Sequence, residues 1–392
     1  MIKHPLFILT AYPNLGGIEN VTSSIASDLY QNHGIDIEVF SFRNFDQYSE
    51  TIPKGIKVHR AIVQGGYQSL ENQELIENIV RESRVDAIIY QDSYAPSHEI
   101  IVKASKNSGV PLIVFEHNTP DYGLKPRHYG IKRRNKSIVG RWIIKALYSF
   151  LNSIKVLKNK KLLISRKRFL YEASDRYVLI SEKFVPIFKK LVPTACTPKL
   201  TVINNPVKAK DISEYKFKEN IIFCAARLVP QKNIEEMLYI WSKIQASAPD
   251  WKFIVAGTGP NMEYLKSLAQ KLGVRGIEFV GYVDPTDYYK KSKIFWMTSL
   301  FEGFGLTLVE AQTYGCVPIA YDSFASASDI ITNGKNGFLI KNGDRKAFIK
   351  ATLKLIIDGN LWNQMSQESI NNYEKFETKT TVKKWLNLFS SI

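Results

Sequence analysis

The sequence predicts an α/β protein made of two domains in tandem, each with a doubly wound parallel sheet. Its 392 residues, 45% of them hydrophobic and 23% charged, are enough for two domains that each bury a core. Short apolar runs rich in Ile, Val and Tyr alternate with helix-like stretches, which is typical of βαβ units. A polar stretch at 208–220 interrupts this alternation, and the pattern then starts again. These observations together favour two parallel sheets.

The first domain is predicted to begin with a strand, a helix and a second strand, and to continue with further short strands. The strands lie at 6–10, 35–40, 87–90, 112–115 and 177–180, and the first helix at 17–31. Residues 202–207 predict a last strand that runs into the linker. We therefore assign residues 1–205 to the first domain.

The second domain repeats the alternation, and we assign it residues 206–375. Its predicted strands lie at 221–226, 252–256, 277–280, 294–299 and 317–321, and its helices at 233–244, 262–272 and 307–314. Near the C-terminus, Val382, Trp385, Leu386 and Phe389 recur at helical spacing. Residues 376–392 are therefore predicted to form an amphipathic helix.

Export, membrane-spanning and metal-binding signals are weak in this sequence. The apolar run at 6–9 is too short for a signal peptide, and no stretch approaches the roughly 20 apolar residues of a membrane-spanning helix. Cys196, Cys224 and Cys316 lack metal-ligand spacing. We interpret them as small buried side chains of a protein from a reducing compartment.

The strongest local motif is the run Phe-Glu-Gly-Phe-Gly-Leu-Thr-Leu-Val-Glu at 301–310, which follows a predicted strand and enters a predicted helix. The first N–H groups of such a helix suit a phosphate, and the motif offers Gly305, Leu306 and Thr307 for this contact. The carboxylates of Glu302 and Glu310 are placed to flank a ligand with hydroxyl groups. Taken alone, the motif fits a solvated loop with a glutamate at a helix start equally well.

A second motif in the same domain favours the functional interpretation. Arg227 and Lys232 also lie between a predicted strand and a predicted helix, where parallel sheets bind ligands. The guanidinium can grip a diphosphate through several donors, and the ammonium adds a point charge. Alone, these residues would be interpreted as surface cations at a turn. Together with the first motif they indicate a diphosphate site.

Two features of the first domain lie at the corresponding edge of its predicted sheet. Gly16 and Gly17 join the first strand to the first helix, so backbone there can approach a phosphate or sugar closely. His117 follows another strand and is a candidate to donate to a sugar hydroxyl or to accept a proton; a structural histidine is an equal alternative. The Gly-x-Gly at 257–259 lacks the rest of the dinucleotide fingerprint and is interpreted as a tight turn.

These motifs together resemble the family 4 glycosyltransferases, which are retaining enzymes of GT-B architecture. The most specific part of the resemblance is the pair Glu302 and Glu310, separated by seven residues. The resemblance implies two Rossmann-like domains that face each other across a cleft, with a C-terminal helix that crosses back to the N-domain. Glycine is common in the family at the position before Arg227, whereas this chain has Ala226 there. We expect this difference to have little consequence.

The resemblance also implies a role for each motif. Glu310 is expected at the nucleotide ribose and Glu302 at the transferred sugar. Arg227 and Lys232 match the diphosphate-binding pair. The remaining expected donor contacts are the Gly16 loop over the donor, His117 at the sugar hydroxyls and the backbone near Tyr282 at the base.

The implied reaction moves a sugar from a nucleotide diphosphate sugar, with UDP favoured, to an acceptor hydroxyl with retained anomeric configuration. We favour a front-face mechanism in which the leaving phosphate helps to deprotonate the acceptor and Arg227 and Lys232 stabilise the developing charge. Without an Asp-x-Asp motif, we expect no obligate metal and no cofactor. The resemblance suggests a lipid-linked or polysaccharide acceptor in bacterial surface glycan synthesis: capsule, exopolysaccharide or lipopolysaccharide.

The net charge of +16 comes almost entirely from one segment. No acid lies between Asp121 and Glu172, whereas 15 lysines and arginines lie between Lys125 and Arg168. Within this segment, 122–171, the apolar residues at 139–154 recur at helical spacing, which predicts a basic amphipathic helix. We favour docking of a cytoplasmic protein to the anionic inner face of the cell membrane over an ordinary domain helix with solvated charges.

Two other functions compete with sugar transfer. A sugar-nucleotide epimerase would use the same donor site without an acceptor. A nucleic-acid-binding protein without enzymatic activity would use the basic segment, but the sequence carries no nucleic-acid module signature, so we expect no nucleic-acid partner.

Overall fold

The computed structural model describes residues 1–14, 16–122, 124, 159–208 and 217–392. The chain divides into two compact units. The first unit is Met1–Asn204 together with Val382–Ile392, and the second is Asn205–Thr381. Each unit is built around its own parallel sheet. The predicted α/β class with two Rossmann-like sheets is confirmed.

The sheet of the first unit has seven parallel strands in the order β3-β2-β1-β4-β5-β6-β7. The strands are β1 (Pro5–Leu9), β2 (Ile37–Ser41), β3 (Ile56–Arg60), β4 (Ala87–Tyr90), β5 (Leu112–Glu116), β6 (Arg176–Leu179) and β7 (Leu200–Val202). The central strands are buried along their whole length, as expected for a sheet covered by helices on both faces. Phe7 of β1 pairs in register with Val39 on one side and Ile89 on the other.

Helices connect these strands. They are α1 (Gly17–His33), α2 (Leu70–Glu82), α3 (His98–Ser108), α4 (159–173 within the described residues) and α5 (Phe184–Leu191). Helix α2 begins where the Ser69 side chain accepts from the Asn72 N–H, and α3 ends where Gly109 turns left-handed at φ 66°. These caps fix the lengths of the crossovers.

The sheet of the second unit has six parallel strands in the order β10-β9-β8-β11-β12-β13. They are β8 (Glu219–Ala225), β9 (Lys252–Ala256), β10 (Ile277–Gly281), β11 (Ser292–Met297), β12 (Val317–Asp322) and β13 (Phe338–Lys341). The helices are α6 (Ile234–Ile244), α7 (Met262–Lys271), α8 (Thr286–Lys291), α9 (Leu306–Thr313), α10 (Ala327–Ile330), α11 (Arg345–Ile357) and α12 (Gly359–Tyr373). Trp296 lies at the centre of the core, 5.1 Å from the ring of Phe253 and 5.5 Å from that of Phe348.

The strand order reverses once in each sheet. In the first unit the reversal lies between β1 and β4, and in the second between β8 and β11. Ligands of open parallel sheets bind at such points, beyond the carboxyl ends of the strands. The segments that follow β1, β4, β8 and β11 are therefore where a site is expected.

The C-terminal helix α13 (Thr378–Ser390) begins in the second unit and ends in the first. Trp385 is fully buried in the first unit with its ring 5.0 Å from that of Phe115, and the Ile2 N–H donates to the Phe389 carbonyl at 3.2 Å. The sequence pattern placed Leu386 on the apolar face of this helix, but Leu386 is only half-buried. Leu388 is buried instead. The chain thus returns to its first unit.

The observed boundaries differ slightly from the sequence-based ones. The chain leaves the first unit after Asn204 and returns to it at Val382. The predicted boundaries were 205/206 and 375/376. Residues beyond 375 stay with the second unit because the Val207 N–H donates to the Phe376 carbonyl at 2.8 Å and Tyr373 Oη donates to the Val207 carbonyl at 2.9 Å.

One predicted strand has the wrong bounds. The strand expected at 202–207 is instead β7, which ends at Val202, and Val207 forms only an isolated bridge with Glu377. Asn204 interrupts the strand because its side-chain amide donates to the Ile180 carbonyl at 3.0 Å. The predicted amphipathic helix at 139–154 lies outside the described residues. Among the helices that the structure describes, none has the length and apolar character needed to cross a bilayer.

Candidate active site

The structure brings Lys232 and Glu302 together at the carboxyl ends of β8 and β11. The Lys232 Nζ lies 2.6 Å from Glu302 Oε1, and the two side chains are only 17% and 10% exposed. Lys232 belongs to the segment that joins β8 to α6, and Glu302 to the segment that joins β11 to α9. An ion pair this sheltered from water interacts more strongly than a surface pair.

Backbone and side-chain hydrogen bonds fix these two segments to each other. The Leu300 N–H donates to the Gln231 carbonyl at 2.8 Å, and the Gln231 side chain donates to the Phe301 carbonyl at 2.9 Å. Thr298 Oγ1 donates to the Asn233 carbonyl at 2.9 Å. The relative position of Lys232 and Glu302 is therefore set by the backbones that carry them.

The Gly-x-Gly after β9 supports the segment that starts at Ala226. A Cβ on Gly257, whose φ is 127°, would lie 1.9 Å from the Ala226 carbonyl oxygen. The Leu228 N–H donates to the Thr258 carbonyl at 2.8 Å. We interpreted these glycines as a tight turn, and the close approach of two backbones is the physical reason for it.

The loop before α9 ends in a glycine turn and is anchored by the side chain of Ser326. Gly305 is left-handed at φ 95° immediately before Leu306 opens the helix, so Thr307 is its second residue. Ser326 Oγ donates to the Gly303 carbonyl at 3.2 Å and to the Phe304 carbonyl at 3.1 Å. The first N–H groups of a helix have no acceptor within it, so this turn presents donors suited to an anion.

Glu310, one turn into α9, is held by a tyrosine that sequence analysis missed. Tyr289 Oη donates to Glu310 Oε2 at 3.0 Å. Burial, with the nearby charge of Glu310, holds the pKa of Tyr289 well above its usual value, so the phenol keeps its proton and remains a donor. No sequence signal marks Tyr289, because its partner lies 21 residues away.

The other two candidates of this unit are exposed. Arg227 follows β8 in the same segment as Lys232, and its side chain reaches solvent. Tyr282 follows β10 and is 68% exposed. Both residues thus stand at carboxyl ends of strands of the same sheet as Lys232.

In the first unit, Gly16 and Gly17 open helix α1, with Gly16 as its N-cap. A Cβ on Gly16 would lie 2.1 Å from Glu19 Oε2, so the glycine leaves room for this carboxylate. Asn14 Nδ2 donates to Glu19 Oε1 at 3.5 Å. Burial and the charge of Asp92 raise the pKa of Glu19. The hydrogen bonds that the carboxylate accepts lower this pKa, but the net change is upward. A carboxylate of the chain itself thus lies beside the glycine turn.

His117 follows β5 and is 6% exposed. Its Nε2 lies 2.8 Å from Gln91 Oε1, and its ring centroid lies 4.0 Å from that of Phe115. Gln91, which follows β4, also accepts from Thr22 Oγ1 of α1 at 3.0 Å. Gln91 was not predicted as a site residue, although it directly follows a strand, which is the signal that identified His117.

One lysine of the basic segment is buried and does not reach the surface. Lys167 was expected among the charges of a docking surface, and this is wrong, because Lys167 is completely buried in α4 and paired with Glu116. Tyr177 also donates to this carboxylate, and Tyr94 does so at 3.1 Å. Burial lowers the pKa of Lys167, and the charge of Glu116 opposes that change. The segment contributes an internal ion pair as well as exposed charge.

Metal-ligating side chains do not cluster in the part of the chain that the structure describes. No three His, Cys, Asp or Glu residues come together there in a group that could hold a metal ion. The charged groups of the candidate site are instead Arg227, Lys232, Glu302 and Glu310.

Two relatives share part of the sequence. A poly(ribitol-phosphate) alpha-N-acetylglucosaminyltransferase of Staphylococcus aureus is 29% identical over 192 residues, which is 48% of this chain and 39% of that protein. An uncharacterized glycosyltransferase of Haemophilus influenzae is 26% identical over 172 residues, which is 43% of this chain and 49% of that protein. The chain thus matches half or less of the length of either relative.

A solved structure shares the whole fold. The structure of Anabaena HepE in complex with UDP and glucose has a TM-score of 0.73 and 18% identity, and the match covers 100% of both chains. At this identity the likeness concerns the fold, which is GT-B.

Family models account for nearly the whole chain. The model "Glycosyl transferases group 1" matches residues 207–372, and "Glycosyltransferase Family 4" matches residues 15–210, which is half of the chain. The chain therefore belongs to glycosyltransferase family 4.

Proposed function

We propose that this protein transfers a hexosyl group from a nucleotide diphosphate sugar, with UDP as the nucleotide, to a hydroxyl of a surface-glycan acceptor. The observation that carries the proposal is the sheltered Lys232–Glu302 pair beside the N-terminus of α9. The similarity to a poly(ribitol-phosphate) alpha-N-acetylglucosaminyltransferase supports a glycan or polyol-phosphate acceptor, and the fold shared with UDP-bound HepE supports the nucleotide.

In this proposal the second unit holds the nucleotide and its diphosphate. Glu310 accepts hydrogen bonds from the ribose hydroxyls, with its carboxylate oriented by Tyr289. The diphosphate binds to Arg227, to Lys232 and to the first N–H groups of α9, which Gly305, Leu306 and Thr307 supply. The backbone near Tyr282 contacts the base.

The family pattern assigns further roles at the transferred sugar and at the loop over the donor. Glu302 accepts from hydroxyls of the sugar, and His117 contacts another of its hydroxyls. Gly16 and Gly17 allow close approach of the α1 turn to the donor. For each of these roles the support is the place of the residue at the carboxyl end of a strand or at a helix start, together with the family pattern.

The proposed mechanism retains the anomeric configuration by front-face attack. The sugar–oxygen bond to the diphosphate breaks, the acceptor oxygen bonds to the same face, and the acceptor proton passes to the leaving phosphate oxygen. Lys232 then shares its charge between Glu302 and the leaving group, while Arg227 adds a second cation. With two cations in place, transfer needs neither a divalent metal nor another cofactor.

The acceptor is proposed to be lipid-linked or part of a glycan, and the enzyme to bind the anionic inner face of the cell membrane from the cytoplasm. The described part of the basic segment supports this. On helix α4, Lys160, Lys161 and Arg168 are exposed beside Leu162, which is 58% exposed, and Phe169, which is 39% exposed. Exposed cations next to apolar side chains are typical of interfacial helices. Family membership favours sugar transfer over an epimerase or a nucleic-acid-binding function.

A thermal-shift panel tests the donor site. The ligands are UDP, GDP, UDP-glucose, UDP-N-acetylglucosamine and GDP-mannose, with EDTA present throughout. A ligand that binds only the native state raises Tm. We expect a shift with UDP and at least one UDP-sugar in the wild type and in Glu263→Ala, which changes an exposed glutamate of α7, and no shift in Glu310→Ala.

Two results of this panel would overturn the proposal. The absence of a shift with every nucleotide, both in EDTA and in a repeat with Mg²⁺ in place of EDTA, would remove the donor site. A shift that survives Glu310→Ala would show that the nucleotide binds elsewhere. A shift that requires added Mg²⁺ instead of EDTA would overturn the metal-independent mechanism alone.

A further inference from the structure

The segment that follows β3 exposes aliphatic side chains at the carboxyl edge of the first unit's sheet. Ile62 is 65% exposed, Val63 is 40% exposed, and Leu70, which opens α2, is 64% exposed. Single exposed aliphatic side chains are common on protein surfaces, but three of them within one short connection call for an explanation. Residues 61–70 are called the apolar segment below.

A buried asparagine fixes the backbone of the apolar segment. Asn72 is fully buried, and its Nδ2 donates to the Val63 carbonyl and to the Gly66 carbonyl, both at 2.9 Å. Its Oδ1 accepts from the Val63 N–H at 3.1 Å. The Gly65 N–H donates to the Phe42 carbonyl at 2.8 Å, which ties the segment to the end of β2. The aliphatic side chains are therefore exposed by a backbone that buried hydrogen bonds hold in place.

A guanidinium lies against the same segment. Arg43 follows β2 and is exposed. A Cβ on Gly65 would lie 3.5 Å from Arg43 Nε, and Arg43 Cζ lies 5.7 Å from the centroid of the Tyr67 ring. In the part of the chain that the structure describes, Asp46 pairs with Arg60 at 2.5 Å, and no carboxylate pairs with Arg43. An exposed cation thus adjoins the exposed aliphatic side chains.

These groups stand at the edge where a parallel sheet binds its ligands. The Tyr12 N–H, beyond β1, donates to the Arg43 carbonyl at 3.1 Å, so the cation is joined to the connection that leads to Gly16. A guanidinium grips a phosphate through several donors. Aliphatic side chains offer no hydrogen bonds to sugar hydroxyls, and covering such hydroxyls with them costs free energy. The combination therefore fits a phosphate that is followed by an apolar chain.

We propose that Arg43 binds the phosphate of a lipid-linked acceptor and that Ile62, Val63 and Leu70 contact the first part of its apolar chain. The inference rests on the proposed function for the reaction, and it selects a lipid phosphate among the acceptors proposed there. A single guanidinium suits one phosphate group, whereas the many cations of the basic segment suit an anionic membrane surface.

Calorimetry with a soluble lipid phosphate tests the site on the full-length protein. The probe is farnesyl phosphate below its micelle concentration, and farnesol and inorganic phosphate are the two partial probes. We expect farnesyl phosphate to bind the wild type and each partial probe to bind at least about 10-fold more weakly, because each lacks one of the two sets of contacts. Farnesol that binds as tightly as farnesyl phosphate would overturn the role of Arg43.

Two surface variants separate the two parts of the site. Arg43→Gln should weaken the binding of farnesyl phosphate by about 10-fold or more, since it removes charge-assisted hydrogen bonds. Ile62→Ser should weaken it by about 3–20-fold, because less apolar area is covered by the chain. The matched controls are Arg81→Gln, at an exposed arginine of α2, and Ile357→Ser, at an exposed isoleucine of the second unit. The proposal is wrong if either variant binds the probe as its control does.

Vesicle sedimentation distinguishes an acceptor subsite from general contact with the bilayer. The vesicles contain phosphatidylglycerol and phosphatidylcholine and carry no isoprenoid phosphate. Ile62→Ser should bind them as the wild type does. Weaker binding of this variant would assign the apolar segment to the bilayer and overturn the acceptor subsite.

The nucleotide panel separates this inference from the proposed function. Arg43→Gln and Ile62→Ser should keep the rise in Tm with UDP, because both residues belong to the first unit and the nucleotide is assigned to the second. A wild type that binds UDP but not farnesyl phosphate would overturn the inference and leave the proposed donor site intact. A wild type that binds farnesyl phosphate but no nucleotide would overturn the proposed function and leave the lipid-phosphate site.

Discussion

Lys232 and Glu302 neutralise each other at the candidate site, so a change in one alters what the other can do. Glu302→Gln keeps the shape of the side chain and removes its charge. We expect UDP to bind as tightly as in the wild type or more tightly, since Lys232 then faces no competing carboxylate. Transfer should fall by about 10²–10³-fold in kcat, the range for loss of one positioned polar group at the reacting centre.

Calorimetry with UDP and a nucleotide-release assay check this pair of effects, and Glu263→Gln serves as the matched surface control. The proposed assignment of Glu302 to the sugar would be contradicted if UDP affinity and kcat declined in parallel.

In the proposed donor site, Tyr289 acts through Glu310. Tyr289→Phe removes the hydroxyl that donates at 3.0 Å and leaves the aromatic packing in place. We expect KM for the donor to rise about 3–10-fold, with a smaller change in kcat, because one hydrogen bond to a charged acceptor orients a binding group. Tyr288→Phe, on the same helix, is the control and should behave as the wild type. An unchanged KM in Tyr289→Phe would show that Glu310 needs no such support.

Glu38 makes the stability of the first unit depend on pH. Burial alone would raise the pKa of this carboxyl, but hydrogen bonds from His59, Ser83 and Lys57 and the charge of His59 outweigh burial, and its pKa is lowered below 4.5. A carboxyl with a depressed folded-state pKa stabilises the fold above its unfolded pKa and loses this contribution as pH falls through the folded one.

We therefore expect Glu38→Gln to lower Tm at pH 7, and the difference from the wild type to shrink as pH drops from about 4.5 towards 3. Tm measured across this range checks it, with Glu74→Gln as an exposed control on α2. A difference that stays constant with pH would exclude the charge of Glu38 as the cause.

At the scale of elements, a bidentate ion pair joins two helices of the second unit. Arg345, at the start of α11, donates from Nε and Nη2 to the two oxygens of Glu236 on α6, at 2.9 and 2.7 Å. Tyr321 of β12 donates to the same carboxylate at 2.9 Å. Helix α6 follows directly on the segment that carries Lys232, so the pair stabilises the neighbourhood of the candidate site.

Arg345→Met removes both donors and keeps much of the side-chain volume. We expect destabilisation of the second unit by about 1–3 kcal/mol, the usual range for hydrogen bonds to a charged group, and a decrease in Tm of several degrees. Calorimetric unfolding measures it, with Arg275→Met as the exposed control. A Tm equal to that of the control would show that the pair adds no net stability.

Buried strands were predictable from sequence, whereas two of the half-exposed edge strands were not. The strands at 87–90 and 252–256 match β4 and β9 residue for residue, because continuous apolar runs reflect burial on both faces. The edge strands β3 and β13 went unrecognised, since they carry exposed polar side chains among the apolar ones.

The candidate site divides in the same way. Residues at the ends of strands, such as Arg227 and Glu302, follow from the rule that parallel sheets bind ligands there. Tyr289 and Gln91 contact side chains that are distant in sequence, and a single sequence carries no record of such pairs. Lys167 was assigned to the surface because its partner Glu116 precedes it by 51 residues.

At the scale of the whole molecule, charge is concentrated in a single stretch of the chain. Removing the 15 cations between Lys125 and Arg168 from the total of 53 leaves a nearly even balance with the 37 acids. Vesicles that contain anionic lipid should therefore bind the protein in a salt-dependent way, while neutral vesicles should not.

Sedimentation with vesicles measures this binding, and charge reversal locates it. Lys160→Glu with Lys161→Glu should reduce the bound fraction about 10-fold or more, at about 1 kcal/mol for each cation removed from the surface. Lys103→Glu with Lys106→Glu, an exposed pair on α3 of the same unit, changes the net charge equally and should have little effect. Equal losses in the two double variants would mean that net charge alone drives binding.

The return of the chain to its first unit has a consequence for synthesis on the ribosome. Residues 205–381 are inserted between two parts of the first unit, and Trp385 covers Phe115 only after all of them have been made. At about 5–20 residues per second, this delay is roughly 10–35 s. A ribosome that has reached residue 381 has delivered the complete sequence of the second unit but not of the first. The part of the protein that is translated first is therefore the last to be finished.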